Sequence, residues 1–265
     1  MLFLLSPSKA LDFQTPINAD LARSNPRFAK QSQALAAHMR EMSPAQLQSL
    51  MGISEELAAL NHERFKRFRT NAKRQAVLAF DGDVYGGLDA PSLPSDVLAR
   101  GQDRLRILSG LYGLLRPLDL IRPYRLEMGL RVQGEWGSSL YAYWGDQIAC
   151  QLNADLAGHA HKVIINLASD EYAKAVDRKV LKAPMITLNF KDVKDGKARA
   201  LFLYLKRARG EMARFALEHQ VDRPEGLKDF TGGGYRFSAR DSQESEWVFT
   251  RPQPPPIAEL RRLSA

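Results

Sequence analysis

The chain carries one cysteine, Cys150, in 265 residues, which excludes an internal disulfide and any metal site built from several thiolates. Cys150 lies in the helix-like run Ile148-Ala-Cys-Gln-Leu-Asn, where a packed core thiol is a better reading than a nucleophile. Such sparing use of cysteine fits a reducing cytoplasm. Histidine is nearly as scarce. The five present (His38, His62, His159, His161 and His219) show no metal-ligand spacing, so metal catalysis is not expected and no cofactor is implied. No stretch approaches the roughly 18 consecutive apolar residues of a membrane span. The opening Met1-Leu-Phe-Leu-Leu-Ser-Pro is too short for a secretion signal and lacks its basic start. A cytoplasmic protein with no membrane partner is the expectation. The phosphate loop Gly-x-x-x-x-Gly-Lys-Ser/Thr, the dinucleotide fingerprint and the Gly-x-Ser-x-Gly nucleophile elbow are absent too.

Acids are in short supply as well. Thirty acidic residues face 38 lysines and arginines, a net charge of +8, which fits a polyanionic partner such as double-stranded DNA. The excess falls in bands. Residues 62–74 carry six basic side chains against one acid, residues 100–131 seven arginines against three acids, and residues 191–214 eight basic groups against three acids. Basic groups scattered for solubility are the competing reading, but three such bands argue partly against it and point to a charged face or cleft.

The middle band holds the most unusual run, Leu105 to Gly129, which mixes apolar residues with glycines, prolines and arginines as no simple amphipathic element does. Gly110 and Gly113 stand three apart at an expected turn, where bare backbone can approach a phosphate closely. Arg104, Arg106, Arg116, Arg122 and Arg125 surround them, and the guanidinium fork suits bidentate capture of phosphate or carboxylate. Leu108-Ser-Gly-Leu-Tyr-Gly-Leu-Leu-Arg also has the spacing of a helix-hairpin-helix turn, which grips a DNA phosphate through backbone N–H groups. Arg106-Ile-Leu-Ser reads just as well as a strand, and Pro117 would cut short a helix starting at Gly113, so both readings stand.

Elsewhere the pattern alternates strands with helices. Leu2–Leu5 is a continuous apolar run, as for a strand buried on both faces, and His161–Leu167 is a second. Helical spacing runs over Arg27–Arg40. Ser43-Pro-Ala-Gln46 is a capping box, Gly52 ends the helix that follows, and Ser54 opens another reaching about Phe68. That pair has the outline of a DNA-reading helix-turn-helix, although glycine-joined helical hairpins are also common scaffold parts. Further helices are expected from Pro94-Ser95 to about Gln102, over Ser138–Leu156, from Asp170, and over Lys206–His219. Met185–Phe190 and Ala198–Leu205 read as strands about the turn Lys194-Asp-Gly-Lys, and Trp247–Thr250 as a last strand. The expected fold is α/β, one elaborated domain over residues 1–251 with a mixed sheet flanked by helices and a basic cleft. A helical insertion spans about 27–70, and residues 252–265 form a proline-rich extension.

Ligands in open α/β sheets bind beyond the carboxyl ends of strands. Two expected strands run into polar clusters there: Ser6-Pro-Ser8-Lys9 and Ser169-Asp-Glu-Tyr-Ala-Lys174. Ser6 and Ser8 suit a phosphate and Lys9 would neutralise it. Asp170 and Glu171 suit acid–base work or the holding of Lys174. The competing readings are a plain strand-exit turn for the first cluster and ordinary helix capping for the second. Phe65, Phe68, Tyr112 and Tyr124 near the basic bands are better placed in a core than stacked on bases.

Leu5-Ser-Pro-Ser-Lys-Ala-Leu-Asp12, Gly82-Asp-Val-Tyr-Gly-Gly-Leu88, Leu108–Asp119, Pro123-Tyr-Arg-Leu-Glu-Met-Gly129, Ile165-Asn-Leu-Ala-Ser-Asp-Glu-Tyr172 and Lys206-Arg-Ala-Arg-Gly210 occur in this order. In that order they resemble the YaaA family, from residue 1 to about 250. The resemblance implies a bacterial cytosolic protein of the peroxide stress response, one that limits damage from unincorporated iron. It also implies an unusual α/β fold whose basic cleft binds DNA. The expected anion or DNA contacts are Ser6, Ser8, Lys9, Arg106, Gly110, Gly113, Arg116, Arg122, Arg125, Lys206, Arg207 and Arg209. The alternative is an enzyme acting on a small anionic substrate, nucleotide-like or a carboxylate. Its pocket would use Ser6, Lys9, Arg125, Glu171 and Lys174, with Lys9, Glu171 and Lys174 as the catalytic candidates. A binding scaffold with neither role is the third reading.

Overall fold

A computed structural model describes residues 1–17 and 21–254. The first strand, β1 (Leu2–Leu5), is buried at every residue, as its unbroken apolar run requires. After the short β2 (Ala10–Leu11) come α1 (Ala29–Arg40), α2 (Pro44–Met51) and α3 (Glu55–Lys66), which fill the expected helical insertion. Ser43 and Gln46 form the full reciprocal capping box at α2, and Gly52 ends that helix in the left-handed conformation. The Ser54 hydroxyl accepts from the Leu57 amide to open α3. Four short elements follow: β3 (Arg74–Gln75), α4 (Ala76–Ala79), β4 (Phe80–Asp81) and α5 (Asp83–Leu88). After α6 (Ser95–Arg104) the chain enters β5 (Leu105–Ser109), turns, and returns as β6 (Gly113–Leu115) and β7 (Leu120–Ile121). Leu108–Arg116 is therefore a strand, a turn and a strand, and the helix-hairpin-helix reading does not hold.

The single helix expected over Ser138–Leu156 is two, α7 (Leu140–Trp144) and α8 (Gln147–Leu156). They part at Gly145, whose φ of 48° no helix interior accepts. Then come β8 (Ile164–Asn166), α9 (Asp170–Ala173), β9 (Met185–Lys194) and β10 (Lys197–Arg199). The strand expected over Ala198–Leu205 stops at Arg199, and the chain winds into α10 (Phe202–Glu218). The sheet ends with β11 (Arg236–Gln243) and β12 (Glu246–Pro252). β11 was not expected: its half-solvated residues, Arg-Phe-Ser-Ala-Arg-Asp-Ser-Gln, lack an apolar alternation. Pro252 closes β12, so the boundary expected at 252 falls at a strand end, and residues 255–265 lie outside the described ones.

Eight strands form one mixed sheet in the order β11-β12-β9-β8-β1-β5-β6, with β10 paired to β9. The inner strands β12, β9, β8, β1 and β5 are parallel, and the antiparallel pairings are β11 with β12 and β5 with β6 at the two margins and β10 with the end of β9. From β1 the chain leaves to β5 on one side and returns to β8 on the other. The sheet thus changes winding direction between β1 and β8, where α/β folds leave a crevice. Phe65, Phe68, Tyr112 and Tyr124 are buried in the core, as packing requires. Cys150 is a correction: it is exposed, because α8 turns Ile148, Ala149, Leu152 and Leu156 inward and leaves Cys150 on the outer face. No helix among the described residues is long and apolar enough to cross a membrane.

Candidate functional site

The carboxyl ends of β1 and β8 and the middle of β9 open into a cleft of about 730 Å³. It is walled by Ser6–Ala10, Asp81–Tyr85, Ser169–Tyr172, Asn189–Lys191 and part of α10 with Lys206 and Arg209. The two polar clusters that follow strands in the sequence meet here. Ser6 Oγ accepts from the Ser169 amide at 2.9 Å and lies 3.4 Å from Ser169 Oγ. The Ser169 hydroxyl makes no bond to its own helix, so the capping reading does not account for it. Ser8 donates to the Asp81 carbonyl and ties the third segment in.

Beneath the rim, Tyr85 donates from its hydroxyl to the Ser6 carbonyl at 3.0 Å. Burial raises the phenols of Tyr85 and Tyr172 well above their ordinary range, so both stay protonated under the cleft. Lys9 reaches back to Glu127 Oε1 at 3.2 Å, and the same oxygen accepts from Arg125 Nη2 at 3.0 Å. Arg125 therefore stands behind Lys9, sharing its carboxylate, and is not part of the cleft wall. Glu171 Oε1 accepts from the Gly129 amide at 2.9 Å, so half of this candidate acid–base group already serves the backbone. Lys174 lies elsewhere, with its ammonium 5.1 Å from the Tyr141 ring centre, facing a separate small depression.

The α10 wall depends on two glycines. A side chain on Gly210 would overlap the Val84 carbonyl, and one on Gly87 would overlap the Arg207 carbonyl. Both must stay bare for α5 and α10 to cross this closely. The crossing brings Lys206 and Arg209 to the cleft that Asp170 also lines. Arg207, between them, turns out to pair with Glu211 at 3.0 Å. Arg209 has no hydrogen-bond or ion-pair partner among the described residues, and its Nε is buried. Burial lowers its pKa, and Asp170 acts in the opposite direction.

The arginine-rich segment that promised an anion site lies apart from this cleft. Arg106 is buried and pairs with Asp155 at 2.5 Å, while donating to the Gln102 and Leu105 carbonyls. Arg116 pairs with the fully buried Asp119 at 3.0 Å and donates to the Asn25 carbonyl. Arg122 donates to the Asn71 carbonyl, and Arg104 to that of Val221. The two glycines serve packing: Gly110 lies against the Leu126 carbonyl, and a Cβ on Gly113 would come within 2.7 Å of the Trp144 ring. Each feature that marked the turn for phosphate is used inside the protein.

The cleft is charge-balanced, not basic as expected. Lys9, Lys191, Lys206 and Arg209 face Asp81, Asp83, Asp170 and Glu171. Sequence reasoning missed Asp81, Asp83, Lys191 and the role of Glu127. The signal for the first two was present, since Asp81-Gly-Asp83 stood in a glycine-rich loop, but its place beside Ser8 depends on the β2–β4 pairing. Among the described residues no group of three or more histidine, cysteine or acidic side chains is arranged to hold a metal ion. The site offers hydroxyls, carboxylates and cations around one volume, which suits a molecule bearing both an anionic group and hydrogen-bond donors.

A family model described as "Peroxide stress protein YaaA" matches residues 1–241. The chain is 47% identical to a UPF0246 protein of Phenylobacterium zucineum over 98% of both chains. It is 49% identical to those of Ralstonia nicotianae and a Janthinobacterium species, over 95% of this chain and 99% and 98% of theirs.

Proposed function

Because the chain belongs to the YaaA peroxide stress protein family, we propose that it serves that response by holding a small anionic molecule in the strand-end cleft. One observation carries the reading. Four segments distant in sequence, at Ser6–Lys9, Asp81–Tyr85, Ser169–Tyr172 and the α10 pair Lys206 and Arg209, converge on one volume at the switch point of the sheet. The test is a strain lacking this protein, complemented with Lys9→Met or Asp170→Asn and challenged with hydrogen peroxide. Loss of protection with unchanged affinity for duplex DNA supports the cleft, and full protection by both variants overturns it.

A second reading is that the protein limits iron-dependent damage by binding DNA. It is favoured by a different surface: Lys66, Arg67, Arg69 and Lys73 are all exposed at and beyond the end of α3, next to the paired helices α2 and α3. Phosphate contacts there give an affinity for duplex DNA that falls steeply with salt. Replacing those four residues with glutamine then weakens binding about equally for all sequences, while absent or salt-independent binding overturns the reading.

A further inference from the structure

Burial lowers the pKa of four arginines, Arg64, Arg104, Arg106 and Arg209. The first three each donate to an acceptor inside the protein: Arg64 to Asn61 Oδ1, Arg104 to the Val221 carbonyl, Arg106 to Asp155 and two carbonyls. Arg209 donates to nothing among the described residues. Burying the Arg209 Nε–H without a partner, on a guanidinium that is itself partly withdrawn from water, is costly, and a folded chain tolerates it where something else supplies the acceptor and counter-charge. Its place is fixed by rigid elements, because α10 cannot shift against α5 without the Gly210 and Gly87 backbones parting. Lys206 lies three residues earlier, on the same helix face and in the same cleft. The carboxylates Asp81, Asp83 and Asp170, which line the same cleft, form no ion pair among the described residues, so the cleft offers acceptors as well.

We propose that Arg209 anchors the single oxyanion, carboxylate or phosphate, of a small polar molecule whose hydroxyl or amino groups bond to Asp81, Asp83 and Asp170. This rests on the cleft being a ligand site. It makes the ligand one-ended in charge. A polyanionic strand would set further phosphates against the three carboxylates and be repelled.

The probes are two pairs, inorganic phosphate with ribose 5-phosphate and acetate with gluconate, followed by NMR at the Arg209 Nε–H and Ser169 amide signals. One pair binds, which identifies the oxyanion, and its hydroxyl-bearing member binds at least tenfold tighter than the bare ion. Arg209→Met weakens that binding at least tenfold, whereas Arg207→Met, outside the cleft on the same helix, leaves it unchanged. Without ligand, the Arg209→Met protein melts at or above the wild-type temperature, since an unpartnered buried N–H on a partly desolvated charge has been removed. Melting several degrees below wild type makes Arg209 a structural residue and overturns the proposal. So does equal binding of bare ion and hydroxylated probe. Unchanged affinity in Arg209→Met, with binding lost in the Lys9→Met/Lys206→Met double variant, overturns the anchor and leaves the cleft reading intact. No binding of any probe to the wild-type protein overturns both.

Discussion

Two arginine-bearing regions of the molecule use the same side chain for opposite ends. Between Arg104 and Arg125 each guanidinium discussed finds a carboxylate or carbonyl partner within the protein, and the intervening glycines let backbone and indole pack closely. On α10, Arg209 lies beside the strand-end cleft with its hydrogen-bonding capacity unused among the described residues. Arginine density along the sequence marks the first region, yet the second has the capacity to bind. What separates them is the supply of nearby acceptors, which a list of residues does not show.

The sharpest way to break this contrast is to remove one arginine from each region. Arg106→Met leaves Asp155, whose side chain is 2% exposed, with Arg27 as its remaining cation and Gln151 as a further donor. Losing a buried partner costs on the order of 3 kcal/mol, at the low end of the usual range because Arg27 stays. Urea denaturation should show that loss while the cleft still binds its probe. If Arg106→Met unfolds no more readily than Arg209→Met, the division into structural and ligand-facing arginines fails.

The α5–α10 crossing gives the next largest effect. Gly210→Ala pushes a methyl into the Val84 carbonyl, and backbone cannot swing aside as a flexible side chain can. We expect a stability loss of about 2–3 kcal/mol. Probe affinity at Arg209 should fall as well, because the same crossing positions that residue. A variant that is destabilised but binds normally would show that Arg209 does not depend on the crossing.

Asp12 extends the paired class to the basic band at residues 62–74. Its carboxylate accepts from the Thr15 and Gln14 amides at 3.0 and 2.8 Å and meets Arg74 at 3.4 Å, and these contacts lower its pKa to about 2. A depressed carboxylate pKa stabilises the fold above the unfolded value near 4 and loses that contribution as pH falls towards 2. Asp12→Asn should cost about 1 kcal/mol at neutral pH, since the group is partly exposed. The gap to wild type should close between about pH 4 and 2 in denaturation series, and a gap constant with pH would show that the charge plays no part.

Much of the fold was legible from the sequence because local rules decided it. The buried run of β1, the Ser43 capping box and the Lys194–Lys197 turn each specify their element within a few residues. The site was only half legible. Ser6, Ser8, Lys9 and Ser169–Glu171 could be named because strand ends in α/β sheets are where ligands sit. Glu127 as the partner of Lys9, Asp83 as part of the wall and Lys174 as an outlier depend on pairings between distant segments. So does the fate of the Leu105–Gly129 arginines: Asp155, which neutralises Arg106, lies 49 residues further along the chain.

The smallest expected effect is on Lys9, and it sharpens the comparison from the side of the cleft. Its side chain is 66% exposed, although it lies 3.2 Å from Glu127, which is 10% exposed and is also held by Arg125. An exposed ion pair contributes little, and Glu127 keeps its second cation when Lys9 is replaced. Lys9→Met should therefore change stability by no more than about 0.5 kcal/mol. If its role is instead to meet a ligand, the variant folds as wild type and loses probe affinity and peroxide protection together. A large loss of stability would assign Lys9 to the same class as Arg106, a basic residue committed to the fold, and would leave Lys191, Lys206 and Arg209 as the cleft's cations without an ion-pair partner among the described residues.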